Sequence, residues 1–300
     1  MQKLANALRA LNAGKLLENE SMSRHTTFRV GGPADLLFFP EGKQAVLRAL
    51  ELAGEMKVPA MVIGNGSNLI VGDGGIRGLV IVLGEAFAEI RVEGNRITAQ
   101  AGAMLSKVSA VAQEKALTGL EFANGIPGTL GGGCAMNAGA YGGELKDVLL
   151  WADVLLDGEI RRLSLAEMEM GYRNTMPLRK GGVVLEACFE LAEGDPEAIL
   201  NCMKDLNARR RDKQPLNLPS AGSIFKRPEG YFAGGLIEQC GLKGYTIGGA
   251  QVSEKHAGFI VNIGGASAKD ITDLIAHIQK TVKEQTGVTL ETEARIIGEA

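Results

Sequence analysis

Aromatic side chains are scarce in this sequence. Phe, Trp and Tyr together make up 5% of its 300 residues, too few to line a groove with stacking platforms for bases or sugars. An excess of one charge is missing as well. Thirty-two Lys and Arg stand against 35 Asp and Glu, a formal net charge of −3, so no basic surplus points to nucleic acid. No apolar run reaches the roughly 18 residues that a bilayer-spanning helix needs. The amino-terminal stretch MQKLANALRALNAG is interrupted by Asn6, Arg9 and Asn12, which breaks the apolar core of a signal peptide. Its Leu4, Leu8 and Leu11 fall at helical spacing and predict a short amphipathic helix docked on the protein. The four cysteines, Cys134, Cys188, Cys202 and Cys240, form no Cys-x-x-Cys pair and have no ligand-spaced histidine beside them. They read as reduced core thiols of a cytoplasmic protein, and no metal site is expected. Neither nucleic acid, nor membrane, nor an obligate protein partner is called for.

Glycine and apolar residues are what the chain has. Apolar types make up 45% and glycine contributes 41 residues, so the chain can bury real cores and uses many turns or close backbone approaches. The length suggests two or three lobes. Residues 34–39, 59–63 and 78–83 read as strands, and 42–57 and 105–116 as amphipathic helices. Gly94-Asn95 and Asp157-Gly158 read as hairpin turns, between strands 89–93 and 96–101 and between 148–156 and 159–164. A strand at 183–191 and a helix at 196–212 follow. The polar run from Lys213 to Pro219 marks a candidate lobe boundary. Beyond it come strands near 222–226, 258–263 and 289–297, with helices near 233–240 and 268–286. The fold class this predicts is α+β with mixed sheets.

Two loops draw attention as phosphate cradles. In Gly64-Asn-Gly-Ser-Asn68 a buried strand delivers glycines and small polar residues, whose backbone N–H groups no Cβ shields. The pattern fails as a dinucleotide fingerprint, because position 69 is Leu, and alone it reads more readily as an ordinary tight turn. The segment Gly125–Gly143 is more informative. Ile126, Leu130, Met136 and Tyr141 sit among its glycines, so it is expected to be packed rather than a flexible linker. Packed, glycine-dense backbone suits a flat or phosphorylated ligand. A glycine-rich helix contact is the plainer alternative, and the hydrogen-bonding groups of Thr129 and Asn137 weigh against it. The segment 119–143 is read as a run of turns.

The segments His25–Asp35, Gly64–Asn68, Gly125–Thr129 and Asn137–Tyr141 together resemble, in order, spacing and composition, the FAD-binding half of the UDP-N-acetylenolpyruvylglucosamine reductases. The resemblance implies a vanillyl-alcohol-oxidase (PCMH-type) flavin fold of two α+β subdomains, with a C-terminal α+β substrate-binding domain. It implies FAD over residues 1 to about 200, split near 70–80, and substrate over 201–300, the last strand (about 289–297) returning to the active site. The cofactor set it implies is Arg29, Gly64, Asn65, Gly66, Ser67, Asn68, Gly125, Pro127, Gly128, Thr129, Gly131, Gly132, Asn137, Ala138, Gly139 and Ala140. Neither His25 nor Cys134 lies in an attachment motif, so the FAD is expected to be non-covalent. The chain is short and has no inserted tyrosine-bearing loop, as in the shorter subtype.

Further along, Gly171–Met176 resembles the segment whose arginine lies beside flavin and substrate, which is Arg173 here, with Tyr172 as a substrate contact. The Gly-Ser-x-Phe-Lys motif at Gly222–Lys226 carries a serine, Ser223, that the resemblance makes the proton donor. A serine hydroxyl is a feeble acid and serves only where the receiving carbon is strongly basic. Lys213, Lys226 and Arg227 are carried over as sugar-nucleotide contacts, although many members have Asn where Arg227 stands. In the last strand, Glu291, Glu293 and Arg295 share one face and Leu290, Thr292, Ala294 and Ile296 the other. A plain solvated face is one reading. The resemblance instead sends Glu293 and Arg295 to the active site. Of the arginines Arg209 to Arg211, at least two read as a solvated helix end, and His256 is given no catalytic role. The reaction so implied is reduction of UDP-N-acetylglucosamine enolpyruvate to UDP-N-acetylmuramate with NADPH as hydride donor. Its rivals are another FAD oxidoreductase of the same fold and a non-catalytic nucleotide-binding protein.

Overall fold

The computed structural model describes residues 1–300. The chain forms two compact units. The first comprises Met1–Leu17, Leu37–Asn65 and Leu79–Arg210, the second Glu18–Leu36, Gly66–Gly78 and Arg211–Ala300. Both units are therefore discontinuous, and the loop Gly64–Asn68 is divided between them after Asn65.

The first unit has two layered parts. Helix Gln2–Ala10 buries Leu4, Ala5 and Leu8 and packs on helix Lys43–Glu55, as the leucine spacing predicts. Strand Ala60–Ile63 pairs in parallel with Leu79–Val82. The larger part is an antiparallel five-stranded sheet in the order Glu159–Ser164, Leu149–Leu156, Val183–Glu190, Arg96–Gln100, Ile90–Glu93. Both predicted hairpins are present, and their turns admit left-handed backbone at Gly94, Asp157 and Gly158. Helix Leu105–Glu114 lays Leu105, Val108 and Ala112 against this sheet, in one core with Phe122, Leu130, Cys134 and Phe189. Apolar burial of this kind is the main favourable term in folding.

On another part of the same sheet lies a buried ionic cluster. Asp153 and Glu186 are 7% and 5% exposed. Lys43 Nζ lies 3.3 Å from Asp153 and 2.7 Å from Glu186, Arg162 donates to Asp153 at 2.8 Å, and Arg91 to Glu186 at 2.7 Å. Burial pushes the Asp153 carboxyl up, but the hydrogen bonds and charges of Arg162 and Lys43 outweigh it and leave the group below its ordinary value.

The second unit is built on helix Ala268–Thr286. Ser267 caps it in a reciprocal pair with Asp270, and Gly287 closes it in a left-handed turn. Its Ile271, Leu274, Ile275, Ile278 and Val282 form a core with Phe28, Val30, Ile70, Phe225, Ile237 and Ile260. A small antiparallel sheet, Thr246–Ile247, Ala250–Val252 and Ile260–Asn262, covers one side.

Several expectations change in three dimensions. Residues 119–143 are not all turns, since Leu130–Met136 is a helix. Two of its glycines are there for packing. A Cβ on Gly131 would stand 2.7 Å from Ala101 Cβ, and one on Gly133 2.8 Å from Leu105 Cδ1. No regular strand forms at 222–226. Ser223 bridges Phe259 while Phe225 bridges Thr292, so the segment divides its hydrogen bonds between two neighbours. The last strand shrinks to Arg295–Ile297, paired in parallel with Leu69–Val71, because residues 291–293 lean on 224–226 instead. Strand Gly14–Ser21 is not evident from the sequence pattern. The cysteines are all free, but only Cys134 and Cys188 are buried; Cys202 is exposed and Cys240 intermediate, so the core reading fails for those two.

Candidate active site

In the first unit the two glycine loops meet. Strand Ala60–Ile63 delivers Gly64, where a side chain would collide with the Thr129 hydroxyl. Asn65 Nδ2 donates to the Pro127 carbonyl at 2.7 Å. Thr129 is buried, and the next two amides bind the strand-end carbonyls of Ala103 and Ala101 at 2.8 and 2.9 Å. At Gly132 the surroundings differ from those of its neighbours. It is exposed, and the nearest atom to an added Cβ would be Thr129 Oγ1 at 3.9 Å. Packing accounts for Gly131 and Gly133 but leaves Gly132 as open backbone, a surface that a flat or phosphorylated ligand can approach.

Gly125 lies against the Arg210 guanidinium. Arg210 is 6% exposed and lies over the Tyr141 ring at 5.5 Å, and burial pulls its pKa down against the favourable influence of Tyr141. Arg209 and Arg211 are exposed, so two of the three arginines do form a solvated helix end. The burial of Arg210 was legible in the sequence: Ile199, Met203 and Arg210 follow the helical repeat along one face of Pro196–Lys213.

After Cys134, whose thiol burial pushes up to about 12, the helix ends at Asn137 in a left-handed conformation. Ala138 N–H returns to the Gly133 carbonyl, and Gly139–Ala140 pairs with Gly143–Glu144. Against this corner sits the turn Gly171–Asn174. Arg173, also left-handed at φ 52°, donates to the carbonyls of Asn137 and Gly139 at 3.3 and 3.2 Å and lies 4.9 Å from the exposed Tyr172 ring. Thr175 and Glu144, which no sequence motif singles out, hold the same corner. Thr175 Oγ1 donates to the Ala135 carbonyl at 2.6 Å and caps the helix Met176–Lys180.

In the second unit, Gly66 packs on the His25 carbonyl, where no side chain fits, and Arg29 takes a left-handed turn at φ 57° with its side chain exposed. Asn68 ties this loop to the carboxyl end of the chain: its Nδ2 donates to the Glu293 carbonyl at 3.0 Å and its carbonyl accepts from Arg295 N–H at 2.9 Å. Glu293 N–H in turn donates to the Ile224 carbonyl at 2.7 Å, beside Ser223. Asn68, Glu293, Arg295 and the segment of Ser223 thus belong to one hydrogen-bonded patch, although the motifs lie far apart in sequence.

Ser223 Oγ donates to the Phe225 carbonyl at 3.2 Å. Gly258 lies between it and the His256 ring: a Cβ there would be 3.5 Å from Ser223 Oγ and 3.0 Å from His256 Cε1. His256 accepts from Gly258 N–H at 3.1 Å, and burial lowers its pKa, so it is a neutral, structural imidazole. Lys226 pairs with Glu291 at 3.1 Å, and Arg227 donates to the Tyr231 carbonyl while stacking 4.0 Å from the Phe232 ring. Lys213 is exposed at the end of its helix. A separate cleft of about 610 Å³, bordered by Arg211, Leu216, Ser253 and Lys255, contains none of the predicted residues.

Residues 214–297 match the UDP-N-acetylenolpyruvoylglucosamine reductase C-terminal domain, and residues 34–164 match an FAD binding domain. The chain is 53% identical over 297 residues to the UDP-N-acetylenolpyruvoylglucosamine reductase of Levilactobacillus brevis, covering 99% of this chain and 97% of that one. The chain belongs to the UDP-N-acetylenolpyruvoylglucosamine reductase family. The reductase of Alkaliphilus oremlandii is 52% identical, covering 95% and 94% of the two chains. Among solved structures, the reductase of Thermus caldophilus superposes with a TM-score of 0.81 at 35% identity, covering 94% of this chain and 98% of that one. An alkyldihydroxyacetonephosphate synthase, 16% identical with a TM-score of 0.50 over 64% of this chain and 41% of that chain, shares the fold alone. Family membership makes the chain an FAD-dependent oxidoreductase of peptidoglycan precursor synthesis with an α+β flavin fold. No helix is long and apolar enough to cross a membrane.

Proposed function

We propose that this chain reduces UDP-N-acetylglucosamine enolpyruvate to UDP-N-acetylmuramate in the cytoplasm, at the expense of NADPH. The near-full-length likeness to reductases of that name carries the reading, with Arg173, Ser223 and Glu293 all present. The first 200 residues serve FAD and the remainder the sugar nucleotide. Arg29, Gly64, Asn65, Gly66, Ser67, Asn68 and the backbone from Pro127 to Gly132 contact the cofactor. When bound, FAD would supply the redox chemistry, linking NADPH as hydride donor to the vinyl CH2 carbon of the substrate double bond.

The protein's own residues manage charge and protons. As hydride arrives, negative charge develops on the adjacent carbon and spreads into the carboxylate as an enolate. Arg173 stabilises that charge, with Glu293 as a hydrogen-bonding group at the same site. The enolate carbon is a strong base, so the Ser223 hydroxyl suffices to protonate it, which completes the addition of one hydride and one proton across the double bond. Tyr172, Lys213, Lys226, Arg227 and Arg295 contact the sugar nucleotide. The decisive experiment is anaerobic. NADPH is expected to bleach the flavin band, and the enolpyruvyl sugar nucleotide to restore it with formation of the lactyl ether. Flavin that NADPH reduces but the sugar nucleotide leaves reduced would assign the chain a different acceptor.

A further inference from the structure

We infer that Asn137 is a positioning residue for Arg173: its amide holds the strained turn from which that guanidinium is presented. The inference rests on the role proposed above for Arg173. Asn137 is 0% exposed. Its Nδ2 donates to Glu144 Oε2 at 2.9 Å and to the Gly171 carbonyl at 3.0 Å, while its Oδ1 accepts from Lys146 N–H at 3.0 Å. Both donors and one acceptor site of the amide are thereby engaged. A carboxylate at this position has no N–H to offer Glu144 or Gly171, and a shorter side chain reaches neither, so the site demands an amide of this length.

The bond to Gly171 falls on the residue that opens the turn. Gly171 and Asn174 exchange backbone hydrogen bonds at 2.8 and 3.4 Å, and Arg173 between them is left-handed. That conformation is unfavourable for a non-glycine residue and persists only where the surroundings over-determine it. Here they do so from one segment. Ala135 accepts from Thr175, Asn137 donates to Gly171, and the carbonyls of Asn137 and Gly139 accept from Arg173. Glu144 secures the amide from the far side. A hydrogen bond from Lys146, then the one from Asn137, and the charges of Lys146 and Arg173 overcome its burial and hold its carboxyl below the ordinary value, so it remains an acceptor at neutral pH. Asn137 is itself left-handed, a conformation that Asn tolerates better than most residues. One side chain therefore fixes both the end of the glycine-rich helix and the arginine turn.

The test is a double-mutant cycle on the separate half-reactions, followed by stopped flow. Asn137→Ser is expected to slow re-oxidation of the reduced flavoprotein by the enolpyruvyl sugar nucleotide by roughly ten- to a hundredfold, the scale of a small misplacement of a catalytic group. In Glu144→Ala, which removes one of the three bonds and lies outside the residues assigned to FAD, flavin content and the rate of reduction by NADPH should not change. In an Arg173→Ala background the same substitution should add nothing, because coupled residues are non-additive. Equal slowing of re-oxidation in both backgrounds, or equal slowing of both half-reactions or loss of flavin in Glu144→Ala, would each overturn the inference. Should Asn137→Ser fail to fold, Glu144→Ala, which removes one of the three bonds, enters the same cycle with the same expected and overturning results. If Arg173→Ala leaves re-oxidation unchanged, the role of Arg173 itself falls. If Arg173→Ala slows it and neither Asn137→Ser nor Glu144→Ala does, only the positioning role falls.

Discussion

Arg173 in the first unit and Ser223 in the second are held by different means. Arg173 stands on a left-handed turn locked by side-chain hydrogen bonds from Asn137 and Thr175, both of them buried residues. Ser223 stands on an irregular segment whose support is backbone: Ile224 N–H on Gly258, Glu293 N–H on Ile224 and Lys226 N–H on Glu291. Polar networks of the first kind depend on side-chain identity, since a single unmatched donor in a dry site is costly. Backbone bridges tolerate substitution of the side chains they carry. The first unit should therefore reveal itself through stability and geometry, and the second through chemistry alone.

The largest effect expected is at Ser223. Ser223→Ala should leave folding, flavin content and reduction by NADPH intact, because the serine has no task until the sugar nucleotide arrives. If Ser223 is the proton donor proposed above, re-oxidation should fall by roughly 10²–10⁴-fold, the usual loss on removing a general acid. Slowing of both half-reactions would mean that Ser223 positions the cofactor instead of donating a proton, and would erase the contrast.

A smaller effect separates adjacent glycines in the first unit. Gly131→Val should destabilise by about 1–3 kcal/mol, as overpacking does, because its Cβ meets Ala101 Cβ and the Val184 carbonyl at 2.7 and 3.1 Å. Gly132→Ala should not lower the urea midpoint, since its Cβ would meet open space and alanine suits a helix better. If Gly132 is kept bare for FAD, Gly132→Ala should nevertheless weaken flavin retention on dilution. Unchanged retention would show that this glycine serves no ligand.

The smallest effect contrasts the charges of the two units. Asp153 has a lowered folded pKa, so its contribution is fully present above the unfolded value of about 3.9 and is lost as pH falls through the folded value. The charges facing it are Arg162 and Lys43, with Glu186 and Arg91 in the same cluster. Asp153→Asn should lower stability near pH 7, by about 1 kcal/mol, because Lys43 keeps Glu186 as a partner and the Arg162 side chain can turn to water, and should flatten the acid limb below about pH 4. Glu291→Gln, at the exposed pair with Lys226, should change neither. An acid limb that Asp153→Asn leaves unaltered would place the acid sensitivity outside this cluster.

Periodicity and turn chemistry were sufficient for most elements. The leucines of Gln2–Ala10, the hairpins at Gly94 and Asp157, and the long helices at 196–213 and 268–286 are local patterns, and local physics decides them. Family resemblance supplied Arg173, Ser223 and Glu293 as candidates, because those residues stand in ordered, specific motifs. The sequence could not separate glycines required by a neighbour from a glycine left bare, since Gly131 and Gly133 face Ala101 and Leu105 while Gly132 faces nothing close. Nor could it reduce the last strand to three residues, because the partner changes from 224–226 to 69–71 at Ala294. The amide of Asn137 was visible only as a hydrogen-bonding group. Its partners, Glu144, Lys146 and Gly171, come together through two turns and a short pairing, and long-range contacts of that kind are decided by packing rather than by any pattern along the chain.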